Sequence, residues 1–357
     1  MSSSSSSSSS TELSIPLHVK YIQSLGENKD DLIYHMTSHL RLNAIYWGLT
    51  ALCVMNRQDA LDREEMIAFV MSCWDEEAGG FGAHSGHDAH IHATLSAIQI
   101  LILQDASDKI DVPRVVNCEP SKHIFHSRRT LPEMLTEGLP LLVILSLQQP
   151  SGVFAGDAFG EIDTRFSYIA VQSLSLLGQL DKLNVDKTVS YVLKCRNFDG
   201  GFGAVVGAES HAAMVFVCVA LLAILDKLDE IDQETLAWWL AERQLPNGGL
   251  NGRPQKLEDV CYSFWVLSAM SILGKLTWID ADKLIQFILS AQDPENGGIA
   301  DRPGDQPDVF HTLFGVAGLS LLGYPGLETI DPAYCLPESV TKRLGLRKNW
   351  KALPKRT

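Results

Sequence analysis

A carboxylate, a thiol and an imidazole that could bind one metal ion stand in the C-terminal half of the sequence. Asp259 and Cys261 are two residues apart, and His311 follows fifty residues after Cys261. All three are acceptable zinc ligands, and three protein ligands leave open the fourth position that catalytic zinc uses. The alternative interpretation is a buried core cysteine and a histidine at a helix cap. Both segments fall at the same phase of adjacent sequence repeats, which favours zinc.

Basic residues next to this pair could bind an anion. Arg253 and Lys256 come just before a predicted helix, whose free N–H groups favour negative charge. Arginine offers planar, multidentate contacts and lysine a point charge, a combination that suits a diphosphate. His211 and Arg165 hold the same phase in neighbouring repeats, so four basic groups could share one rim. The alternative is a solvated loop with ordinary charges.

An internal repeat sets the positions of these residues. Gly-rich turns recur along the chain, and the last glycine of each Gly-Gly or Ser-Gly pair is at 80, 152, 201, 249 and 298. The last three intervals are 49, 48 and 49 residues, whereas the first is 72. The second unit therefore contains an insertion of roughly two dozen residues. Residues 39–55 form a degenerate first unit that has the helix but not the Gly-Gly turn.

The repeat predicts an all-α fold. Each unit reads as an amphipathic helix, a Gly-rich turn, a polar segment and a second, more apolar helix, without strand alternation. Such helix pairs stack on their neighbours, and five or six of them can close into an inner ring within an outer ring. In a closed ring the polar starts of the second helices would share one anion-binding mouth. These polar residues are His87, His90, His92, Asp163, Arg165, His211, Asp259, Cys261, Asp308 and His311.

Composition limits the possible partners and locations. The net charge of −14 argues against broad nucleic-acid binding, because phosphate contacts need a basic face. The seven cysteines are odd in number and follow no disulfide framework, which favours a reduced, cytoplasmic protein. The longest apolar run, residues 212–225, is too short to span a bilayer, so an integral membrane protein is not expected.

Aromatic residues gather in or near the second helices. Most of them would be expected in the core. A mouth with an anion site at its rim and aromatic walls would also suit a long lipid diphosphate. The residues are Tyr46, Trp47, Phe166, Tyr262, Phe264, Trp265, Phe310 and Phe314.

The repeats define one domain, residues 12–340, with three segments outside the pattern. Residues 1–11 include nine consecutive serines and are expected to be a disordered tail. Residues 118–145 interrupt the second unit as an atypical insertion. Residues 341–357 form a basic C-terminal tail, which is either solvated or docks on an anionic partner or membrane surface.

Several segments resemble the β subunits of protein prenyltransferases. They are GGLNGRPQKLEDVCYS, FDGGFG followed by ESHA, GEIDTRFSY and GGIADRPGDQPDVFHTLFG, and the resemblance covers roughly residues 12–117 and 146–340. Within that family the chain is most similar to the type II branch, the β subunits of Rab geranylgeranyltransferases. The resemblance implies an α/α barrel (toroid) of about six helix pairs and an obligate α-subunit partner. It also implies zinc-dependent transfer of geranylgeranyl from its diphosphate to C-terminal cysteines of Rab GTPases, which a Rab escort protein presents.

The resemblance further implies roles for individual residues. One residue departs from the type II pattern: Asn43 stands where a small serine is expected to make room for a fourth isoprene unit. Asparagine is not the large aromatic residue that would restrict the pocket to farnesyl, so the expected lipid remains geranylgeranyl. The implied roles are zinc binding for Asp259, Cys261 and His311; diphosphate contact during catalysis for His211, Arg253, Lys256 and Tyr262; the isoprenoid wall for Trp265; the floor of the lipid pocket for Tyr46 and Trp47; a pocket contact for Arg165; and a position linked to magnesium for Asp301.

Other interpretations stay open at this stage. The chain could be the β subunit of a type I geranylgeranyltransferase or of a farnesyltransferase. A terpene cyclase shares the barrel and the Gly-rich repeats, but the sequence contains neither an Asp-x-Asp-Asp nor an Asp-Asp-x-x-Asp motif. A non-catalytic toroidal binding module would give no reason for Asp259, Cys261 and His311 to occur together.

Overall fold

A computed structural model describes residues 12–27, 32–117 and 144–356. The serine-rich segment 1–11 and residues 118–143 of the predicted insertion lie outside this description. The last two residues of that insertion belong to a 3-10 helix, Ile144–Leu147, in which Ile144 is fully buried.

Six long helices form a closed inner ring. Each contacts the next along the chain, and the last contacts the first, so the ring is complete. Their side chains are buried on nearly all faces. Outer helices cover one side of each inner helix, and the other side faces the interior of the ring. This arrangement confirms the predicted all-α barrel. The inner helices are α3 (Arg41–Val54), α5 (Ile91–Leu103), α7 (Thr164–Leu176), α9 (Ala212–Ile224), α11 (Tyr262–Ile272) and α13 (Val309–Leu321).

Six shorter helices form the outer ring. They are α1 (Ile15–Ser24), α4 (Arg63–Ser72), α6 (Val112–Asn117), α8 (Val185–Lys194), α10 (Gln233–Ala241) and α12 (Ala281–Ser290). Four of them are capped by a side chain that accepts a hydrogen bond from a backbone N–H of the first turn. The capping residues are Asp62, Asn184, Asp232 and Asp280. Two short helices, α2 (Leu32–Met36) and α14 (Glu338–Arg343), complete the set in the described residues.

The N-terminal helix α1 closes the outer ring against the last repeat. Its His18 is fully buried, and its Nδ1 accepts a hydrogen bond of 2.9 Å from the backbone N–H of Gly298. Its Nε2 lies 2.9 Å from Gln292 Oε1. Burial lowers the pKa of His18, so the neutral ring fits these contacts. The first and last repeats are therefore joined by a polar contact inside the wall.

Backbone bonds hold the starts of the inner helices together at one end. At five of the six starts an N–H group donates to a carbonyl in the Gly-rich loop of the following unit, at 2.8–3.0 Å. This rim of hydrogen bonds explains why loops far apart in sequence meet at one mouth. The pairs are Leu42 with Ala83, Ile91 with Gly156, Thr164 with Ala204, Ala212 with Gly252 and Val260 with Asp301.

A hairpin enters the lumen from the other end. Strands β3 (Ile330–Asp331) and β4 (Leu336–Pro337) pair antiparallel, and the loop between them offers carbonyls to the inner helices. Tyr46 donates to Cys335 O at 2.8 Å, and Tyr168 donates to Ala333 O at 2.7 Å. This hairpin therefore bonds to two of the inner helices, α3 and α7. A second short pair, β1 (Trp74–Asp75) with β2 (Gly80–Phe81), brackets the first Gly-Gly turn.

The basic C-terminal tail packs on the barrel end opposite the mouth. Lys348 Nζ donates to Ala223 O at 2.7 Å and Ile224 O at 3.2 Å, which are carbonyls at the C-terminus of α9. The backbone N–H of Leu353 donates to Leu321 O, and Trp350 is buried. Cations at helix C-termini complement the helix dipole and occupy carbonyls that lack partners. The tail is thus an ordered strap across the ends of the inner helices.

Candidate active site

The carboxylate, thiol and imidazole singled out in the sequence meet at the mouth. Asp259 and Cys261 directly precede α11, and His311 lies in the first turn of α13. One ligand atom from each lies within 4.8 Å of the other two. His311 Nε2 is 3.2 Å from Asp259 Oδ1, and the N–H group of Cys261 donates to the same oxygen at 2.8 Å.

Asp308 fixes the orientation of His311. It caps α13 by accepting the N–H of His311 at 2.9 Å, and its other oxygen lies 2.6 Å from His311 Nδ1. A carboxylate on the far nitrogen holds a ligating imidazole in one tautomer and raises its basicity. Sequence reasoning placed Asp308 at a helix start but gave it no such role. The signal was present: an N-cap aspartate three residues before a ligand histidine can bond both its backbone and its ring.

The electrostatics of the cluster fit a bound cation. Burial, followed by the charge of Asp259, raises the pKa of the Cys261 thiol well above its usual range. Burial disfavours the charged form of His311, but its hydrogen bonds to the carboxylates of Asp259 and Asp308 outweigh burial and raise its pKa to about 9. A cation would replace the protons on both groups, and carboxylate, thiolate and imidazole form a donor set that zinc accepts. The residues present therefore fit zinc.

A polar cavity of about 480 Å³ adjoins this cluster. Its lining includes all four residues expected to contact a diphosphate, His211, Arg253, Lys256 and Tyr262, together with Asp259 of the cluster. Tyr262 OH lies 3.3 Å from His211 Nε2, and Arg253 forms an ion pair with Glu209. The lining contains cations as well as carboxylates. An anion can therefore bind in this cavity although the net charge of the protein is strongly negative.

Aromatic rings lead from the cavity into the lumen. Tyr262 packs on Trp265 at 5.4 Å between ring centroids, and Trp265 packs on Phe310 at 5.8 Å and Phe314 at 5.3 Å. Trp47 of α3 contacts Phe310 at 5.1 Å. The wall continues through Phe314, Phe264, Phe216 and Tyr168, at 5.4–5.5 Å between successive rings. Sequence reasoning missed Phe216 and Tyr168, which the ring of inner helices brings to this wall.

Other predicted residues have defined contacts elsewhere at the mouth and lumen. Arg165 is outside the cavity lining and pairs with Asp163, which caps α7. Asn43 Nδ2 donates to Ser96 Oγ at 3.0 Å, so its amide is held against α5. Asp301 lines the cavity but is paired with an arginine, as described below. Tyr46 is buried on the hairpin that enters the lumen.

Comparisons with known proteins agree with this architecture. The family model described as "Prenyltransferase alpha-alpha toroid domain" matches residues 13–336. The chain belongs to this family. It is 51% identical to the geranylgeranyl transferase type-2 subunit beta of Saccharomyces cerevisiae, over 91% of this chain and 94% of the yeast protein. It is 48% identical to the type-2 subunit beta 1 of Arabidopsis thaliana, over 96% and 98% of the two chains.

More distant relatives separate the branches of the family. The type-1 subunit beta of Arabidopsis thaliana is 27% identical, over 90% of this chain and 88% of the relative. Among solved structures, Candida albicans protein geranylgeranyltransferase-I complexed with GGPP superposes with a TM-score of 0.74. The two chains are 19% identical, over 94% of this chain and 100% of the Candida chain. A single-residue variant of the type II terpene cyclase MstE from Scytonema shares the fold more loosely. Its TM-score is 0.51 and its identity 14%, over 79% of this chain and 86% of the cyclase.

Proposed function

We propose that this chain is the catalytic β subunit of a type II protein geranylgeranyltransferase. The observation that carries the proposal is that Asp259 belongs both to the candidate metal cluster and to the polar cavity. Its carboxylate belongs to the cluster with Cys261 and His311, and it also lines the cavity that contains Arg253 and Lys256. A thiol bound at the cluster would therefore lie beside a diphosphate bound in the cavity.

The proposed reaction joins the substrate sulfur to C1 of the lipid. The thiol loses its proton, a C–S bond forms, the C–O bond to the diphosphate breaks, and the diphosphate leaves with the electron pair. Asp259, Cys261 and His311 would hold zinc, which when bound lowers the pKa of a coordinated thiol below its usual value of about 8.5. Asp308 holds the imidazole of His311 in place throughout.

The cavity residues act on the leaving group. Negative charge grows on the diphosphate as the C–O bond breaks, and preorganised donors stabilise it there. Arg253 supplies a guanidinium, Lys256 an ammonium and Tyr262 a hydroxyl. Burial raises the pKa of the Tyr262 hydroxyl, so this group stays protonated. Hydrogen bonds to charged groups contribute about 1.5–3 kcal/mol each. Several such contacts together contribute more free energy than ionisation of the thiol, which contributes about 2 kcal/mol at pH 7.

The aromatic wall positions the lipid. Apolar burial contributes about 25 cal/mol per Å², so a long isoprenoid can be bound firmly along Trp265, Phe310 and Trp47. The wall begins at Tyr262, which also lines the cavity. One end of the lipid can thus lie at the diphosphate site while its chain lies on the rings, which places C1 near the thiol. Asn43, whose amide donates to Ser96, is not a large aromatic residue, so the expected lipid remains geranylgeranyl.

The proposal includes the partners that the family resemblance implies. They are an α subunit, a Rab GTPase as the acceptor and a Rab escort protein that presents it, in the cytoplasm. The six cysteines of the described residues are all buried and free, which supports a reducing compartment. Within the described residues, no helix has both the length and the apolar character needed to cross a bilayer.

Co-expression with a candidate α subunit tests the proposal. The purified complex should contain about one zinc per β chain and transfer labelled geranylgeranyl from its diphosphate to a Rab–escort complex. Farnesyl diphosphate and acceptors of the type I enzyme provide matched comparisons. A complex without zinc would refute the metal site, and efficient transfer only to type I or farnesyl acceptors would refute the type II assignment.

A further inference from the structure

An arginine that the sequence analysis did not assign lies in the diphosphate cavity. Arg302 lines the cavity together with Arg253 and Lys256. Its NH2 nitrogen pairs with Asp301 at 3.0 Å and with Asp305 at 3.3 Å. The Arg302 side chain is 35% exposed and that of Asp301 28% exposed, so the pair is half-buried at the cavity.

We propose that Arg302, anchored on Asp301 and Asp305, is a further diphosphate-binding residue and occupies the place that a magnesium ion would take on Asp301. The inference rests on the proposed function, since it concerns the same leaving group. Both ion pairs use one nitrogen, NH2. A guanidinium has five N–H donors in a fixed plane, so Nε and NH1 retain three donors for phosphate oxygens.

The charge of the cavity supports this role. Three cations and three carboxylates line it: Arg253, Lys256 and Arg302 against Glu258, Asp259 and Asp301. A diphosphate is attracted by each of these cations, and the guanidinium of Arg302 is the third of them. Arg302 therefore makes the cavity more favourable for an incoming anion.

The same contacts do not fit magnesium. Mg²⁺ needs carboxylate oxygens free to enter an octahedral shell at 2.0–2.1 Å. Asp301 and Asp305, the carboxylates nearest the guanidinium, are both paired with it. Mg²⁺ on Asp301 would be a second cation beside Arg302, whose positive charge already serves the same purpose.

Binding of inorganic pyrophosphate to the heterodimer tests the residue directly. Arg302→Gln keeps a polar side chain of similar length and should weaken pyrophosphate binding about tenfold, as expected for the loss of a charge-assisted contact. Arg302→Lys should recover part of the loss, and binding of uncharged geranylgeraniol should be unchanged. Arg57→Gln, at an exposed arginine outside the cavity lining, is the control and should bind like the wild type.

The comparison variant Arg253→Gln separates failure of this inference from failure of the proposed function. If Arg253→Gln weakens pyrophosphate binding and Arg302→Gln does not, Arg302 has no such role and the diphosphate cavity stands. If neither variant changes binding, the diphosphate cavity itself is refuted, and the inference fails with it.

Magnesium dependence gives a second readout. In single-turnover transfer after removal of Mg²⁺ by dialysis, added millimolar Mg²⁺ should change the wild-type rate by less than about twofold. Arg302→Gln frees Asp301, so its slower rate should rise several-fold with Mg²⁺. Strong Mg²⁺ stimulation of the wild type, or none in Arg302→Gln, would overturn the claim that the guanidinium substitutes for the ion.

Discussion

Cys261 is the residue whose loss should separate metal binding from lipid binding. Cys261→Ala removes one of three candidate ligands but leaves the cavity lining and the aromatic wall in place. We expect the complex to lose zinc and transfer activity while its affinity for geranylgeranyl diphosphate changes less than about threefold. Metal analysis and lipid-diphosphate titration of the same preparation measure both. Retained turnover in the zinc-free variant would contradict the assignment.

Asp308 should act only through His311. Asp308→Asn keeps the helix cap but removes the carboxylate from Nδ1, and loss of such a partner typically lowers metal affinity or activity 10- to 100-fold. The zinc affinity of the heterodimer, measured with a competing chelator, should fall within that range while pyrophosphate affinity is unchanged. Asp282→Asn, on the outer helix α12, is the matched control. Equal zinc affinities for the two variants would show that Asp308 is only a cap.

At the scale of elements, the hairpin inside the lumen carries a buried carboxylate. Asp331 Oδ1 accepts N–H bonds from Ala333 at 2.9 Å and Tyr334 at 3.3 Å, and Oδ2 accepts the Thr341 hydroxyl at 3.0 Å. Burial outweighs these bonds and raises the pKa of Asp331 to about 6. Because Tyr334 and its neighbours bond to α3, α5 and α7, the hairpin's stability affects the lumen as a whole.

This carboxylate gives the stability a pH dependence of known sign. The pKa of Asp331 is higher in the folded state than in the unfolded state, so protonated Asp331 stabilises the fold. This contribution of Asp331 is complete below about pH 4 and is lost as the pH rises through about 6. The free energy of unfolding of the wild type, relative to Asp331→Asn, should fall by roughly 1–1.5 kcal/mol between pH 5 and 7.5. Denaturant unfolding of both proteins at several pH values measures this. Parallel pH profiles would contradict the assignment.

At the scale of the whole molecule, the C-terminal strap holds the ends of the inner helices. Lys348→Met should leave the final carbonyls of α9 without their partner and destabilise the fold by about 1–3 kcal/mol. The melting temperature should fall by several degrees, with little change in transfer rate at low temperature, because the mouth lies at the other end. Lys283→Met removes an exposed ion pair on α12 and should change stability by less than about 0.5 kcal/mol. Equal melting temperatures for the two variants would refute the strap.

Much of the fold could be predicted because the internal repeat is detectable in the sequence. Glycine spacing and apolar helix faces gave the paired helices, and the phase of the polar residues gave their common mouth. The repeats alone did not prove closure, since closure depends on contacts between α3 and α13, which lie near opposite ends of the chain. The ordered tail was also missed, because the carbonyls that Lys348 binds belong to α9, more than a hundred residues away in the sequence.

The sequence by itself determined the residue types of the site and the repeat phase that brings them to one rim. Only the tertiary structure decided which of these residues touch. Hydrogen bonds and ion pairs depend on distances of a few tenths of an ångström, which repeat phase does not specify. Asp308 therefore emerged as the partner of His311, and Asp301 as the partner of Arg302 instead of a free metal ligand. Local patterns specify helices and their faces, whereas a contact such as that of Asp259 with His311 forms only when neighbouring units pack together.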